Sequence, residues 1–250
     1  MESHLAVLPP DSAIERALQV YLLGAVDFEA ALAWQRRLAY NVAGDRTSAC
    51  LVLCEHPPLI TVGRQGSRGH IRFEPEELEL RDWRVRWVNR GGACLLHVPG
   101  QLAVYPILAL DRLGLGLQEY LDRLHQVIAD TLDDFRINAE RRPGRPGLWA
   151  NSRLIAGVGV AVRDWVTYYG GAFNIDPDLE PFRRISCGGP GEPPMTSLAR
   201  ERHGPLRASL VRERLVEHLT ARFGLARAVF FTDHPSLGRK ARSDAVASRP

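Results

Sequence analysis

"RGGACLLHVPGQLAVYPILAL", residues 90–110, decides the fold class. Its glycines and Pro99 break up any helix, and its apolar residues come in short extended runs, so it reads as a glycine turn between two strands. Taken alone, an RGG followed by strand-like residues is also what a plain hairpin shows. Upstream, "WRVRWVNR" (83–90) alternates polar and apolar residues like a half-buried strand, "TSACLVLCEH" (47–56) has the length of a buried strand, and "PLITVGRQG" is extended. "ALQVYLLG" (17–24) is a further strand, and Asp27 stands where it can cap a helix carrying Ala31, Trp34 and Leu38 at helical spacing. Downstream, Leu117, Leu121, Leu124, Ile128, Leu132 and Phe135 form one stripe of a long helix. "GLWAN", "RLIAGVGVAV" and "WVTYYGGAFNI" are extended, a final helix carries Leu215, Leu219 and Phe223 and stops at Gly224, and "RAVFF" adds a last strand. Strands come in clusters and long helices are few, which predicts an α+β fold of mixed, largely antiparallel sheets flanked by helices rather than a doubly wound sheet. No repeat or long linker divides the chain. The expected organisation is an N-terminal extension (1–16), one domain (17–235) and a disordered tail (236–250) of small, polar and charged residues.

The 250 residues are 45% hydrophobic and 24% charged, a globular composition, and the net charge of +3 is scattered, which argues against a nucleic-acid partner. No secretory signal is evident and no apolar run reaches the roughly 20 residues of a membrane span, so no membrane association and a cytoplasmic location are expected. Cys50, Cys54, Cys94 and Cys187 form no disulfide framework. Cys50 and Cys54 share one strand face, but no second pair follows, so they read as core and not as metal ligands. No phosphate loop or dinucleotide glycine motif is present, so neither metal nor cofactor is expected. Lysine occurs once, as Lys240.

Four stretches could carry chemistry: "EHPPLITVGRQGSRGHI" (55–71), the 90–108 stretch, "PGLWANSRLIAGVGV" (146–160) continuing to "WVTYYGGAFNI" (165–175), and "ISCGGPGEPPMTSL" (185–198). Cys187 opens a loop of glycines and prolines, the setting of a turn. Singly, each stretch is weak: a strand histidine such as His97 is more often a core residue, and a lone cysteine more often a small buried hydrophobe. In this order and spacing they resemble the octanoyl-[acyl carrier protein]:protein octanoyltransferases (lipoyl/octanoyl transferases) over roughly residues 17 to 232. That family's pattern has an E-H-P-P stretch ending in L-G-R-Q, R-G-G-x-x-T-Y-H-G-P-G-Q, P-G-V-W, K-I-A-x-I-G, W-V-T-x-H-G-x-A-x-N and P-C-G-x-x-x-x-x-T-S-L.

The resemblance implies the catalytic-domain fold of the biotin and lipoate protein ligases. It implies two acyl transfers through a thioester: from octanoyl-acyl carrier protein to Cys187, then to a lysine of a lipoyl domain in 2-oxoacid dehydrogenases or of the glycine cleavage H protein. It further implies that Arg90, Gly91, Gly92, Ala93, Cys94, Leu95, Leu96 and His97, with Gly157, Val158 and Gly159 and with Gly170, Gly171 and Ala172, line the acyl channel.

The pattern breaks at one chemically decisive point. The family lysine that begins K-I-A-x-I-G and activates the thiol is Leu154 here. A thiol without a nearby cation ionises near pH 8.5, and an apolar neighbour pushes that value up. Arg153 would point to the opposite strand face unless a bulge re-aimed it, Lys240 lies in the expected tail, and His97 is left as the candidate activator. Leu95, Leu96, Val98 and Tyr169 also replace family residues around the same pocket. Three readings follow: an octanoyltransferase with altered thiol activation, a degenerate relative that binds an acyl chain or partner without turnover, and an ATP-dependent lipoate or biotin ligase. The last is disfavoured because such ligases use a lysine and no G-R-G-R-x-G loop is present.

Overall fold

Asp27 caps the first helix as its position predicts, its Oδ1 accepting the backbone N–H groups of Glu29 (2.9 Å) and Ala30 (3.2 Å). Such a cap is worth about 1 kcal/mol. The structure is a computed structural model that describes residues 17–142, 147–187, 195–204 and 206–232. The expected N-terminal extension, Lys240 and the expected tail lie outside the described residues.

Eleven strands and five α-helices are described. In chain order these are β1 (Ala17–Ala25), α1 (Phe28–Gly44), β2 (Ala49–Glu55), β3 (Leu59–Val62), α2 (Pro75–Leu80), β4 (Arg84–Trp87), β5 (Cys94–His97), β6 (Gln101–Ile107), α3 (Leu117–Asp133), β7 (Ala139–Glu140), β8 (Leu148–Ala150), β9 (Arg153–Arg163), β10 (Val166–Asn174), α4 (Leu198–Arg202), α5 (Ala208–Arg222) and β11 (Arg227–Thr232). A large sheet has the order β11-β1-β2-β6-β10-β9-β8-β7, and a small one the order β4-β3-β5. β1 runs parallel to both β2 and β11, and β3 parallel to β4; every other pairing is antiparallel.

One face of the large sheet packs on α3 and α5. Tyr120, Leu124, Ile128, Leu132, Val211, Leu215 and Leu219 bury their apolar stripes there, in a core that runs from Leu18 to Leu225. The opposite face carries α1 over β1, β2 and β6, with Trp34, Leu38, Val52 and Tyr105 in contact. Beside α1 on that same face lies the small sheet. Its Leu59 shares a cluster with Phe28, Ala161 and Tyr169, and its outer face is closed by Ile71, Phe73, Phe182 and Ile185.

Two expectations from the sequence are corrected here. The RGG segment is not a hairpin turn: β4 and β5 flank it in sequence but not in space, because β3 inserts between them. β4 is mostly exposed at the sheet edge instead of half-buried, because only one face and one edge of it find partners. β5 and β6 are likewise sent to different sheets by the turn at Gly100 (φ +83), where any Cβ would collide with the backbone of Asp176.

Pro106, next to last in β6, cannot donate to the ladder. The Thr167 hydroxyl repairs the gap, accepting from Leu108 N (3.0 Å) and donating to Pro106 O (2.9 Å). At the same point Tyr169 takes a left-handed φ of 57°, and its N–H is accepted by the buried Gln35 side chain of α1 at 2.9 Å.

Candidate active site

Alternation decides which side chains enter the space between the two sheets. On β3 and β5, Leu59, Thr61, Leu95 and His97 face the large sheet, while Ile60, Val62, Cys94 and Leu96 pack in the outer cluster. β9 has an extra residue, Ile155, between the pairs Trp149↔Leu154 and Leu148↔Ala156. This bulge puts Leu154 on the same face as Gly157, Gly159 and Ala161, and turns Ile155 into the main core.

Arg90 sits at the centre of that space. Its Nη1 donates to Gly91 O (2.9 Å), and its Nη2 to Thr61 O (2.9 Å) and Thr61 Oγ1 (2.8 Å). Glycines from three separate motifs make room for it. A Cβ on Gly63 would stand 2.8 Å from Nη1, one on Gly159 3.2 Å from Cδ and Nη1, and one on Gly92 3.5 Å from Nη1. Burial lowers the guanidinium to about 10, while Tyr105, Cys94, Cys187 and Tyr169 lie close enough to favour its charge.

Two histidines lie beside it. His56 Nδ1 donates to the Val26 carbonyl (2.8 Å), so Nε2 is the acceptor of the Tyr105 hydroxyl (2.9 Å). The His97 ring stands 5.5 Å from that of His56, and Thr61 Oγ1 lies 3.2 Å from its Nε2. The same hydroxyl accepts from Arg90 and also lies 3.5 Å from the Leu95 carbonyl oxygen, so its proton has two acceptors within reach. Burial, reinforced by His56 and Arg90, holds His97 well below the ordinary histidine range, although Gln101 opposes the shift. His97 is therefore neutral at physiological pH. The neutral imidazole is the form that can take a proton from a thiol, the role for which the sequence singled out His97.

Cys187 is half-buried at the rim of the space. The chain that delivers it is stitched to the turn between β3 and α2: Ile185 bridges Ile71, and Ser186 N donates to His70 O at 2.8 Å. The same turn accepts the Cys94 thiol at Ser67 O, 3.7 Å. Further along the chain, Met195 bridges Leu154, Thr196 N donates to Leu154 O (2.9 Å), and Asn174 Nδ2 donates to Thr196 O (3.0 Å). Leu154 itself is 1% exposed. Arg153 is turned away into a pair with Glu201 (Nε to Oε1 2.9 Å), which also accepts from Asn151 and Thr196. Cys50 and Cys54 are core residues of the α1 side, and burial pushes the Cys50 thiol up to about 12.

The residues expected to line an acyl channel divide. Arg90, Gly91, Gly92, Leu95, His97, Gly157 and Gly159 converge between the sheets, with Leu95 Cδ2 only 2.7 Å from where a Gly157 Cβ would be. Ala172 pairs with Gly157 on the same face. Ala93 is buried where β5 begins. Cys94 and Leu96 point into the outer cluster, Val158 packs on the main core, and Gly171 faces Ile128 of α3, because each is one residue out of phase with the inner face. Gly170 is held against the β6 backbone at Val104. Sequence reasoning missed His56, Thr61 and Tyr105. Their available signal was a lone polar residue inside or beside an apolar run, in "CEHPP", "LITV" and "LAVYPI".

Residues 27–220 match the lipoyl protein ligase A/B catalytic domain. The chain belongs to that family. Among its relatives, the octanoyltransferase of Geotalea uraniireducens (strain Rf4) is 40% identical over 193 residues, 77% of this chain and 87% of that protein. The octanoyltransferase of Xanthomonas campestris pv. campestris (strain 8004) is 38% identical over 208 residues, 83% of this chain and 86% of that one. Solved structures share the fold at 14% identity. A bi-partite lipoate protein ligase from Thermoplasma acidophilum superposes with a TM-score of 0.65 over 88% of each chain, and lipoate-protein ligase A bound with ATP with 0.65 over 89% and 91%. The α+β ligase-like catalytic fold expected from the sequence is the fold observed. In this chain the space between the two sheets holds the arginine, the histidines and the rim cysteine.

Proposed function

We propose that this protein moves an octanoyl group from acyl carrier protein to a lysine of a lipoyl domain through a Cys187 thioester. Octanoyl transfer within protein lipoylation is its activity: octanoyltransferases match it at 37% to 42% identity over most of both chains. That match is the observation that carries the reading. Leu154 speaks for a non-catalytic relative, and identity of this extent does not favour that alternative. The finer parts are our own reading: octanoyl-acyl carrier protein as donor, the lipoyl domains of 2-oxoacid dehydrogenases or the glycine cleavage H protein as acceptor, and a cytoplasmic site of action. No helix among the described residues is long and apolar enough to cross a membrane.

The chain's geometry supports the thioester route. Cys187 ends a segment tied down by backbone bonds, stands at the rim of a space lined by small residues, and is the cysteine least buried among the four. An alkyl chain in this space would lie against Ala172 and the Leu95 side chain that covers Gly157, and each methylene buried there contributes about 0.8 kcal/mol. Acyl transfer between sulfurs and then to an amine needs neither ATP nor a metal. The test is intact-protein mass after mixing with octanoyl-acyl carrier protein. A hydroxylamine-sensitive octanoyl adduct on Cys187, absent in Cys187→Ser, is expected. An adduct that survives that substitution, or sits on Cys94, overturns the assignment. Acyl transfer from free octanoate that requires ATP and magnesium would make the ligase reading the correct one.

A further inference from the structure

The chain that leads into Cys187 is held by a short piece of ladder. Ile185 and Ile71 form an isolated antiparallel bridge, in which Arg72 N donates to Arg184 O (2.9 Å) and Ser186 N to His70 O (2.8 Å). No strand among the described residues continues the pairing on either side. Ile185 is buried in the outer cluster, which holds the segment down on the small sheet. Register along the segment is a separate matter. A slip of one residue moves an extended chain by about 3.3 Å and turns every side chain to the other face.

The Arg184 side chain supplies what the bridge lacks. Its Nε and Nη2 donate to the Arg72 carbonyl (3.1 and 2.6 Å). Its Nη1 donates to Glu77 Oε1 (2.6 Å), and its Nη2 also reaches Glu77 Oε2. The guanidinium carbon stands 4.1 Å from the centroid of the Phe73 ring. Both supports are themselves held. Glu77 lies on α2, where its Oε2 accepts the Glu74 N–H (3.0 Å) in the capping box of that helix. Phe73 is buried, with its ring edge-on to Trp83 at 5.3 Å. Arg184 and the Glu74 N–H hold the Glu77 carboxyl down at about 2, so the pair is intact at any assay pH. The two side chains are 31% and 37% exposed, and an ordinary ion pair at such exposure contributes little to stability. The distinction here is geometric. One planar group is tied along two edges and stacked on one face, which fixes where the chain that carries it lies.

We propose that Arg184 is a positioning residue for Cys187: its fork on Glu77, seated on Phe73 and the Arg72 carbonyl, sets the register in which residues 184–187 present the cysteine. The inference rests on Cys187 being the acyl carrier. Arg184 acts through the backbone of Ile185 and Ser186 and takes no part in the transfer itself. A misplacement of about 1 Å at a reacting atom can cost about a hundredfold in rate, whereas the loss of an exposed ion pair costs stability little. The clamp therefore matters for rate more than for Tm.

The test is single-turnover acylation of Cys187 by octanoyl-acyl carrier protein, followed by intact-protein mass across donor concentrations. Tm and Cys187 alkylation by iodoacetamide, a small reagent that needs no docked orientation, are read beside it. Arg184→Met keeps an apolar stem over Phe73 and removes the fork. Its rate at saturating donor should fall about tenfold or more, with half-saturation and alkylation each within about threefold of wild type. Its Tm should drop by no more than about 4 °C. Arg184→Lys should lie between wild type and Arg184→Met, because an ammonium cannot serve both partners in one plane. Adding Glu77→Gln to Arg184→Met should lower the rate no further, because the two residues act as one unit. Asp111→Asn is the control. It breaks a two-oxygen pair with Arg46 of similar exposure, 27% and 38%, on other elements, and should leave the rate unchanged. A smaller fall in Arg184→Met overturns the proposal. So does a raised half-saturation as the main effect, which would put Arg184 in donor binding, or a rate that falls in step with alkylation and Tm, which would make it a stability residue alone. Should Arg184→Met fail to fold, Glu77→Gln by itself is read by the same measurements, with a fall of about threefold as the dividing line. An adduct that forms equally fast in wild type and variants refutes the positioning role and leaves the transferase reading standing, whereas no adduct on wild-type Cys187 refutes that reading itself.

Discussion

Gly159→Ala probes the packing around Arg90 without touching a charge. The added methyl would stand 2.5 Å from the Gly91 carbonyl oxygen and 3.2 Å from Arg90 Cδ and Nη1. Carbon and oxygen approach comfortably to about 3.3 Å, so the loop between β4 and β5 has to withdraw by roughly 0.8 Å. The arginine cannot swing aside cheaply, because its Nη atoms are tied to Gly91 and Thr61. Overpacking of this kind costs about 1–3 kcal/mol, and the lower entropy of the unfolded chain offsets about 0.4–1 kcal/mol of it. The net loss is about 1–2 kcal/mol, or a fall in Tm of about 2–8 °C for a domain of this size. Gly44, at the end of α1, is the control: nothing lies within 4 Å of a Cβ there, so Gly44→Ala should be neutral or stabilising by up to about 1 kcal/mol. Urea unfolding of the three proteins, with Tm by calorimetry, gives the comparison. If Gly159→Ala unfolds at the wild-type midpoint, the small sheet does not press on β9 and the packing around Arg90 as described is wrong.

Three further outcomes are expected. Glu201→Gln leaves Arg153, which is half-exposed, without its charge partner, and weakens the bonds to Asn151 and Thr196. It should cost about 1–3 kcal/mol in urea unfolding, and should loosen the segment that bridges Leu154, seen as faster amide exchange at Thr196. Burial holds His56 and His97 below the histidine value of about 6.5 that they regain on unfolding. The unfolded chain therefore binds more protons below that pH, so stability should be level above about pH 7 and fall as the pH drops through 6.5, with a shallower fall in His97→Asn. Thr167→Val removes the hydroxyl that serves Leu108 and Pro106, leaves buried backbone groups unsatisfied, and should lower stability by about 1–3 kcal/mol with the urea m-value unchanged.

The sequence by itself determined whatever depends on neighbours along the chain. The Asp27 cap, the stop at Gly224 and the last strand are set by local spacing and backbone preference and stand where their residues predict, whereas the α3 stripe holds at Leu124, Ile128 and Leu132 but not at Leu117, which is exposed, or at Phe135, which lies past the helix end. The order of the glycine motifs and the cysteine loop likewise carried the family, because spacing survives where pairing is unknown. Tertiary structure alone decided which of those residues face one another. Nothing in "RGG" says that β3 will lie between the strands on either side of it, or that β5 and β6 will part into two sheets at Gly100. A one-residue bulge at Ile155 decided that Leu154 shares a face with Gly157 and Gly159. Of the glycines that a linear reading assigned to an acyl chain, Gly92 and Gly159 border the guanidinium of Arg90. Close approach is a relation between segments distant in sequence, and no periodicity within any one of them records it.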